Sequence, residues 1–408
     1  MKKLIASLIV FVSVFSFSFA DNFLSHRYFE IKVDTPFLIS NNTFLISDFL
    51  QEQVVIDLAQ IADSVPEDGF NFSTKFDPSV AVKLEFKRGP KIGIFTGVDC
   101  YANMGISKSL FDFIGYGNEL NETLKFDANA YIDMFAYAAV QLGWNTKKFK
   151  LSITPTAFMS MIHASANNIN ATVQNTEDGK FILDASGVFD VYSPVMISKE
   201  TDWQTMINDT ITNLSSSVGF DVEADFSIAL SSFLDIGGAI RIPIVPSTLN
   251  LKMPYNFSYG LQTDINSLMN GINPEFTKEE SFGETVNTEY SINRPMKFKA
   301  TALAKPFGDF CKFYGQFGIA VRNPGAQNKD EVFSYTEYML GCRLSLANLL
   351  SLYLSTEYTD EIYMQKASLS LNVRLFEIVT GIATSSSSFT KTFQGSGLGA
   401  FVTVYVGF

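Results

Sequence analysis

Long hydrophobic runs are missing from this chain of 408 residues. Past the first 20 positions nothing approaches the roughly 18 consecutive apolar residues that a membrane-spanning helix needs. Cysteine is scarce. Cys100, Cys311 and Cys342 cannot all pair, so no disulfide framework holds the fold. Each falls on the apolar parity of an alternating segment, as a small lipid-facing or buried hydrophobe does. Histidine is rarer: His26 and His163 stand far apart, which leaves a histidine triad or metal site little to work with. Positive charge is in deficit, with 30 Lys and Arg against 42 Asp and Glu, and the net charge of −12 excludes nucleic acid as a partner. Tryptophan is held to 2 residues, whereas Phe reaches 39 and Tyr 16. Abundant aromatics without apolar runs fit strands that are apolar on one face only.

The first 20 residues read as a secretory signal peptide. Lys2 and Lys3 are the charged start, Leu4 to Phe19 the apolar stretch, and Ser18-Phe19-Ala20 the small-x-small cleavage site. The chain is expected to be exported past a bacterial inner membrane.

Alternation dominates the rest of the chain. The last stretch, Leu398 to Phe408, places Leu398, Ala400, Val402, Val404, Val406 and Phe408 on one face of a strand. That face is wholly apolar and ends on an aromatic. Ala400, Val402, Val404, Val406 and Phe408 are therefore expected to be a barrel assembly signal, read by the barrel-assembly machinery. Ile92 to Ile106 alternates for about sixteen residues, whereas strands of soluble proteins average about five or six. Phe126 to Trp144 alternates as well and ends on an interfacial aromatic. In Val218 to Leu230 the second face carries Asp221, Glu223 and Asp225. Three acids in a row are hard to bury in a dry core but easy to place on a wet lumen wall. Pro155 and Pro243 each remove a ladder donor and mark candidate kinks of the wall.

The fold expected is all-β: a single transmembrane antiparallel β-barrel of 14 strands, with 16 next, and an N-terminal helical plug. After the signal peptide (1–20), residues 21–78 form a short strand and the plug segment, and 79–408 the barrel. Ser47 to Val65 has helical spacing, with Phe49, Leu50, Val54, Leu58 and Ile61 on one face, and Pro66 stops it. Long loops are expected at about 164–217, containing a hairpin that turns at Asp178-Gly179, and at 264–294. No catalytic constellation is present. Gly395-Ser396-Gly397-Leu398-Gly399 precedes a strand and not a helix, so it fails as a phosphate loop. The chain reads as a non-enzyme without cofactor or metal.

The helical segment, the long strands, the Leu110-Phe111-Asp112-Phe113-Ile114 insertion with Gly117-Asn118 after it, and the closing hairpins resemble the FadL-like outer-membrane barrels. The nearer likeness is to an uncharacterised branch of them. That resemblance implies a barrel with an N-terminal hatch that passes long-chain fatty acids and other hydrophobic compounds across a bacterial outer membrane. Its partners would be outer-membrane lipid and hydrophobic small molecules. It carries over no binding residues. Two other functions are compatible with the residues. One is a water-filled porin made weakly cation-selective by Asp221, Glu223 and Asp225. The other is a structural or adhesive surface protein acting through its long loops.

Overall fold

A computed structural model describes residues 27–45, 57–117, 119, 121–195, 217–264, 275–326, 329–346, 349–373 and 375–408. The signal peptide, Phe49, Leu50 and Val54 lie outside the described residues.

Nineteen strands form one sheet. They are β1 (Phe29–Asn41), β2 (Phe70–Phe76), β3 (Ser79–Glu85), β4 (Gly89–Ile106), β5 (Thr123–Asn145), β6 (Phe149–Asn175), β7 (Lys180–Ser193), β8 (Val218–Ala229), β9 (Leu234–Val245) and β10 (Ser247–Asp264). The rest are β11 (Glu275–Phe282), β12 (Val286–Ile292), β13 (Met296–Ala304), β14 (Cys311–Arg322), β15 (Phe333–Leu346), β16 (Leu350–Thr359), β17 (Ile362–Asn372), β18 (Phe376–Ser386) and β19 (Leu398–Gly407). Among the described residues three short helices, α1 (Leu58–Ser64), α2 (Lys108–Tyr116) and α3 (Phe389–Thr392), and a 3₁₀ turn at Lys329–Glu331 lie in the connections.

The sheet closes on itself. Around the ring run β1, then β2 and β3 end to end, then β4, β5, β6, β8, β9, β13 and β14 to β19. β19 returns to β1 in an unbroken register from Glu30–Gly407 to Ile39–Leu398. Phe408 adds to this seam, its carbonyl accepting from Tyr28 N–H at 2.6 Å and Phe29 N–H at 3.1 Å. A Cβ at position 407 would lie 2.0 Å from the Phe29 carbonyl, so only glycine lets the two edges meet there.

The polarity of the wall is inverted relative to a soluble protein. In β14, Phe313, Phe317 and Ile319 are 46%, 56% and 47% exposed on the outside, while Tyr314 and Gln316 are buried inside. The other staves repeat this, with Ile94, Leu142, Ile153, Leu340, Leu369 and Val402 outward and Lys83, Gln141, Ser152, Arg343, Ser370 and Thr403 inward. Among the described residues no helix is long and apolar enough to cross a membrane. The apolar belt belongs to strands, and a closed ring is how strands satisfy their backbone groups in lipid. Short turns join the staves at the base, where both terminal strands also end, and connections of varied length, the two-residue β16–β17 turn among them, join them at the mouth.

Two expectations are corrected. The barrel is not the 14-stranded one expected: its ring takes more strands than that, within a sheet of 19. Four of them, β7, β10, β11 and β12, stand outside the ring and continue the upper halves of β5 and β6. The 27-residue β6 explains this: its first half pairs with β8 in the wall, and its second half pairs with β7 above it. The polar stretch 264–294, expected to be a loop, contains β11 and β12. The helical plug is not clearly shown either. Within the described residues α1 has seven residues, and it packs on α2 between strand ends at the mouth. Tyr116 donates to Asp63 at 2.6 Å, Lys108 to Glu67 at 2.8 Å, and Gly115 abuts Ala62. Leu58, expected on a plugging face, is 47% exposed, and Ile61 is half-buried.

Candidate functional site: the barrel lumen

Inward parity fills the lumen with charged, hydroxyl and aromatic side chains from the wall itself. Buried charges cost several kcal/mol each unless paired, and here they come in pairs. Near the base, Arg27 bonds Glu377 at 3.0 Å, and Ser370 donates to the same carboxylate at 2.5 Å. Lys32 meets Asp34 at 2.8 Å, Lys366 meets Glu357 at 2.6 Å, and Lys297 meets Glu337 at 2.6 Å.

The three expected lumen acids all project inward, and each has a partner. Asp221 is bound by Arg294 at 3.0 Å. Glu223 accepts from both the Nε and an Nη of Arg241, at 3.2 and 3.1 Å. Asp225 accepts from Ser152 at 2.5 Å. They line one wall without forming an uncompensated acidic stripe, because Arg241 and Arg294 come from strands and turns outside the alternating segment that revealed the acids.

The two prolines sit where the ladder is irregular. Pro155 lies opposite Val222, and β5–β6 pairing skips from Ala139–Thr156 to Leu142–Ile153 without changing register. Pro243 pairs with Asp221 beside a register shift at Phe220, a bulge in β9. β9 bonds β13 only as far up as Arg241–Lys297, so Ile242 to Val245 are held by β8 alone.

Among the described residues two spaces stand out inside. One is polar, about 790 Å³, lined by β1, β3 to β6, β8, β9, β13 and β14, and it reaches the turns of the base. Glu85, Lys91, Lys150, Asp225, Asp235, Lys299 and Lys305 are among its walls. The other is narrow, about 100 Å³, and mostly apolar. It lies against β1 and β15 to β19, between Leu38, Met339, Met364, Val379, Ala383 and Phe401, with Lys75, Asp77, Glu357 and Lys366 at its polar limits. Gly341 and Gly399 keep it open, since any side chain there would project into it.

A layer of buried side chains borders the polar space on its upper side. Its centre is Asp360, at the tip of the two-residue turn between β16 and β17. This turn ends low, with Glu337 opposite Thr359's level of the wall, so Asp360 faces the lumen and is only 7% exposed. It accepts from Tyr335 at 2.6 Å and from Lys75, and Lys297 and Arg322 approach it to 3.8 Å. The Arg322 guanidinium lies over Tyr101 at 4.1 Å, Phe333 at 5.0 Å, Tyr131 at 5.3 Å and Tyr335 at 5.6 Å, a cation enclosed by ring faces. Asp360 and Glu361 have φ of +50° and +65°, a left-handed pair that glycine and asparagine favour.

His163 adds a second knot. Nδ1 lies 2.8 Å from Asp133, and Nε2 lies 3.2 Å from the Tyr290 hydroxyl and 3.7 Å from Glu331. The ring stacks on Tyr290 at 5.0 Å and is wholly buried. The knot ties the wall (β5, β6) to β12 and to the 3₁₀ turn. Asn41, Asn42 and Lys391 bind the remaining mouth segments. Lys391 donates to the carbonyls of Asn42 at 2.6 Å and Ser64 at 2.7 Å, and burial lowers the affinity of its amine for a proton. Neither Asp360 nor the His163 knot was signalled by the sequence, because both join residues scattered over hundreds of positions. The one available hint was Asp360-Glu361 between two alternating segments, a turn signal with an acid in place of glycine.

A family model described as a family of unknown function, DUF5723, matches residues 34–407. No curated protein matches the chain. Among solved structures it is similar to the Pseudomonas putida toluene transporter TodX, with 8% identity, a TM-score of 0.45, and 97% of this chain and 96% of that one covered. It is similar also to the CymD monoaromatic hydrocarbon channel, with 7% identity, a TM-score of 0.43 and coverage of 94% and 89%. The translocator domain of autotransporter NalP from Neisseria meningitidis is similar at 8% identity and a TM-score of 0.31, with 100% and 96% covered.

Proposed function

Since the chain belongs to the DUF5723 family, for which no function is described, we propose its activity from the lumen: an outer-membrane channel that passes small hydrophobic compounds. The observation that carries this reading is the apolar cavity between Met339, Met364, Val379, Ala383 and Phe401, inside a lumen otherwise lined by ion pairs. A purely aqueous pore has no use for a greasy recess, whereas a hydrophobic solute gains roughly 25 cal/mol for each Å² it hides from water. On this proposal the Asp360–Arg322 layer shuts the mouth to ions. Solute passage then requires the layer to part. Long-chain fatty acids are one candidate cargo and uncharged hydrocarbons another.

In this reading the apolar belt faces the lipid of an outer membrane, and the strand from Ala400 through Val402, Val404 and Val406 to Phe408 is its assembly signal. The deciding experiment is uptake into proteoliposomes that contain a trapped reporter for hydrophobic solute, run beside single-channel recording of the same protein. Uptake from a membrane that stays electrically quiet supports the proposal. Large steady ion steps without uptake would replace it with a porin, for which the 790 Å³ polar space is the structural basis.

A further inference from the structure

Two neighbouring turns at the base reverse the charge of this acidic molecule. One joins β3 to β4 through Phe86, Lys87 and Arg88. The other joins β5 to β6 through Thr146, Lys147 and Lys148. Asn145 ties them together, donating to the Phe86 carbonyl and to Glu85, both at 2.9 Å. Lys87, Arg88, Lys147 and Lys148 are all exposed. Among the described residues none of the four enters an ion pair, whereas nearby Lys150 and Lys91 meet Glu85 at 3.3 and 4.0 Å. Two other base turns, β8–β9 and β13–β14, differ. Lys305 is paired with Asp235 at 2.5 Å and Lys312 with Asp309 at 2.7 Å, and the β8–β9 turn exposes Leu230 and Phe233.

The side chains beside the four cations give their depth. Phe86 directly precedes Lys87, Trp144 lies three positions before Lys147, and Phe149 comes directly after Lys148. These rings are 38%, 59% and 38% exposed, on the outward side with Leu84, Ile92, Leu142 and Leu151. Aromatic rings at the edge of an apolar belt mark the membrane interface. Cations one to three residues further on stand at the height of the lipid phosphates, where basic clusters attract anionic head groups, and Lys147 and Lys148 border the polar space as well.

We propose that the paired β3–β4 and β5–β6 turns bind anionic phospholipid of the periplasmic leaflet, so that such lipid gathers on one side of the barrel. This rests on the outer-membrane reading of the function. Charge sign and neighbouring interfacial rings favour a lipid over an acidic soluble protein, which would have no use for the flanking aromatics.

Trp144 is the reporter. With Trp203→Phe it is the sole tryptophan, and the full chain is reconstituted in vesicles of phosphatidylcholine mixed with phosphatidylglycerol, one or the other brominated. Brominated phosphatidylglycerol should quench Trp144 with an apparent association roughly threefold stronger than brominated phosphatidylcholine. The preference should fall to parity in high salt and in K87Q/R88Q/K147Q/K148Q, a variant whose heat-modifiable migration confirms a folded barrel. Equal quenching in the unaltered turns, or a preference that survives the four substitutions, overturns the proposal while leaving the barrel in the membrane. Inorganic phosphate that erases the preference better than chloride of equal ionic strength would show a general anion site and overturn it too. No quenching by either lipid removes Trp144 from the lipid face, and the membrane reading falls with it.

Discussion

The Tyr335 hydroxyl donates to the Asp360 carboxylate at 2.6 Å, joining the upper part of β15 to the tip of the β16–β17 turn. Asp360 is the shared partner of Lys75, Tyr335, Lys297 and Arg322. Asp360→Ala leaves those cations buried without it, a loss of about 3–5 kcal/mol. Two outcomes are expected: a lower temperature for the heat-modifiable transition, and ion steps in bilayers where the parent is quiet. A destabilised but still silent barrel would place the closure elsewhere.

Glu361 offers the opposite effect. Its φ of +65° is one that a long side chain adopts at a cost of about 1–2 kcal/mol. Glu361→Gly is expected to raise the stability of the refolded barrel by roughly 1 kcal/mol, read from the midpoint of urea unfolding in detergent. No gain would mean that the Glu361 side chain makes up for its backbone.

Filling the apolar recess tests the cargo path. Ala383 is 2% exposed and borders the cavity. Ala383→Phe should lower hydrophobic-solute uptake about tenfold, with an overpacking cost of about 1–3 kcal/mol. Uptake at the parental rate would show that solutes travel by another route.

His163 links the wall to the mouth segments. His163→Ala removes one partner of Asp133, which keeps Tyr131, and the ring beside Glu331, which keeps Tyr290, and it opens a buried gap between them. A loss of about 3 kcal/mol is expected. Proteolysis should rise first at the connection carrying the 3₁₀ turn, because Glu331 is held there. Cleavage spread evenly over the chain would deny the knot a local role.

At the seam, deleting Phe408 takes away the acceptor for both Tyr28 and Phe29. The amount of barrel recovered from the outer membrane should drop severalfold, while the same protein refolded from urea into detergent loses little. Equal losses in cell and detergent would assign Phe408 to stability and not to assembly.

The barrel itself was legible in the residues because period-2 alternation over stretches such as Ile92 to Ile106 has few other causes. Inward orientation of Asp221, Glu223 and Asp225 was legible for the same reason, since parity within one strand needs no knowledge of its neighbours. Strand number was not. Alternation cannot distinguish a stave in the wall from β7 or β10, which alternate just as well above it, and the polar faces of β11 and β12 read as loop. The helical spacing of residues 47–65 suggested a plug, but periodicity says nothing of where a helix packs. The described part, α1, packs on α2. The partners Arg241, Arg294 and Arg322 were invisible because register between strands decides them.

β6 has 27 residues and β16 only 10, which at roughly 3.3 Å per residue means runs of about 90 Å and 33 Å along their own slanted paths. The mouth is therefore not level. One side rises into a hood built from β5, β6, β7 and β10 to β12, and the other drops to the threshold where Asp360 sits. Among the described residues, sheet stands tall on the side of β5 and β6 and low on the side of β16 and β17. The protein presents a front and a back to its surroundings, and the closing layer lies on the front.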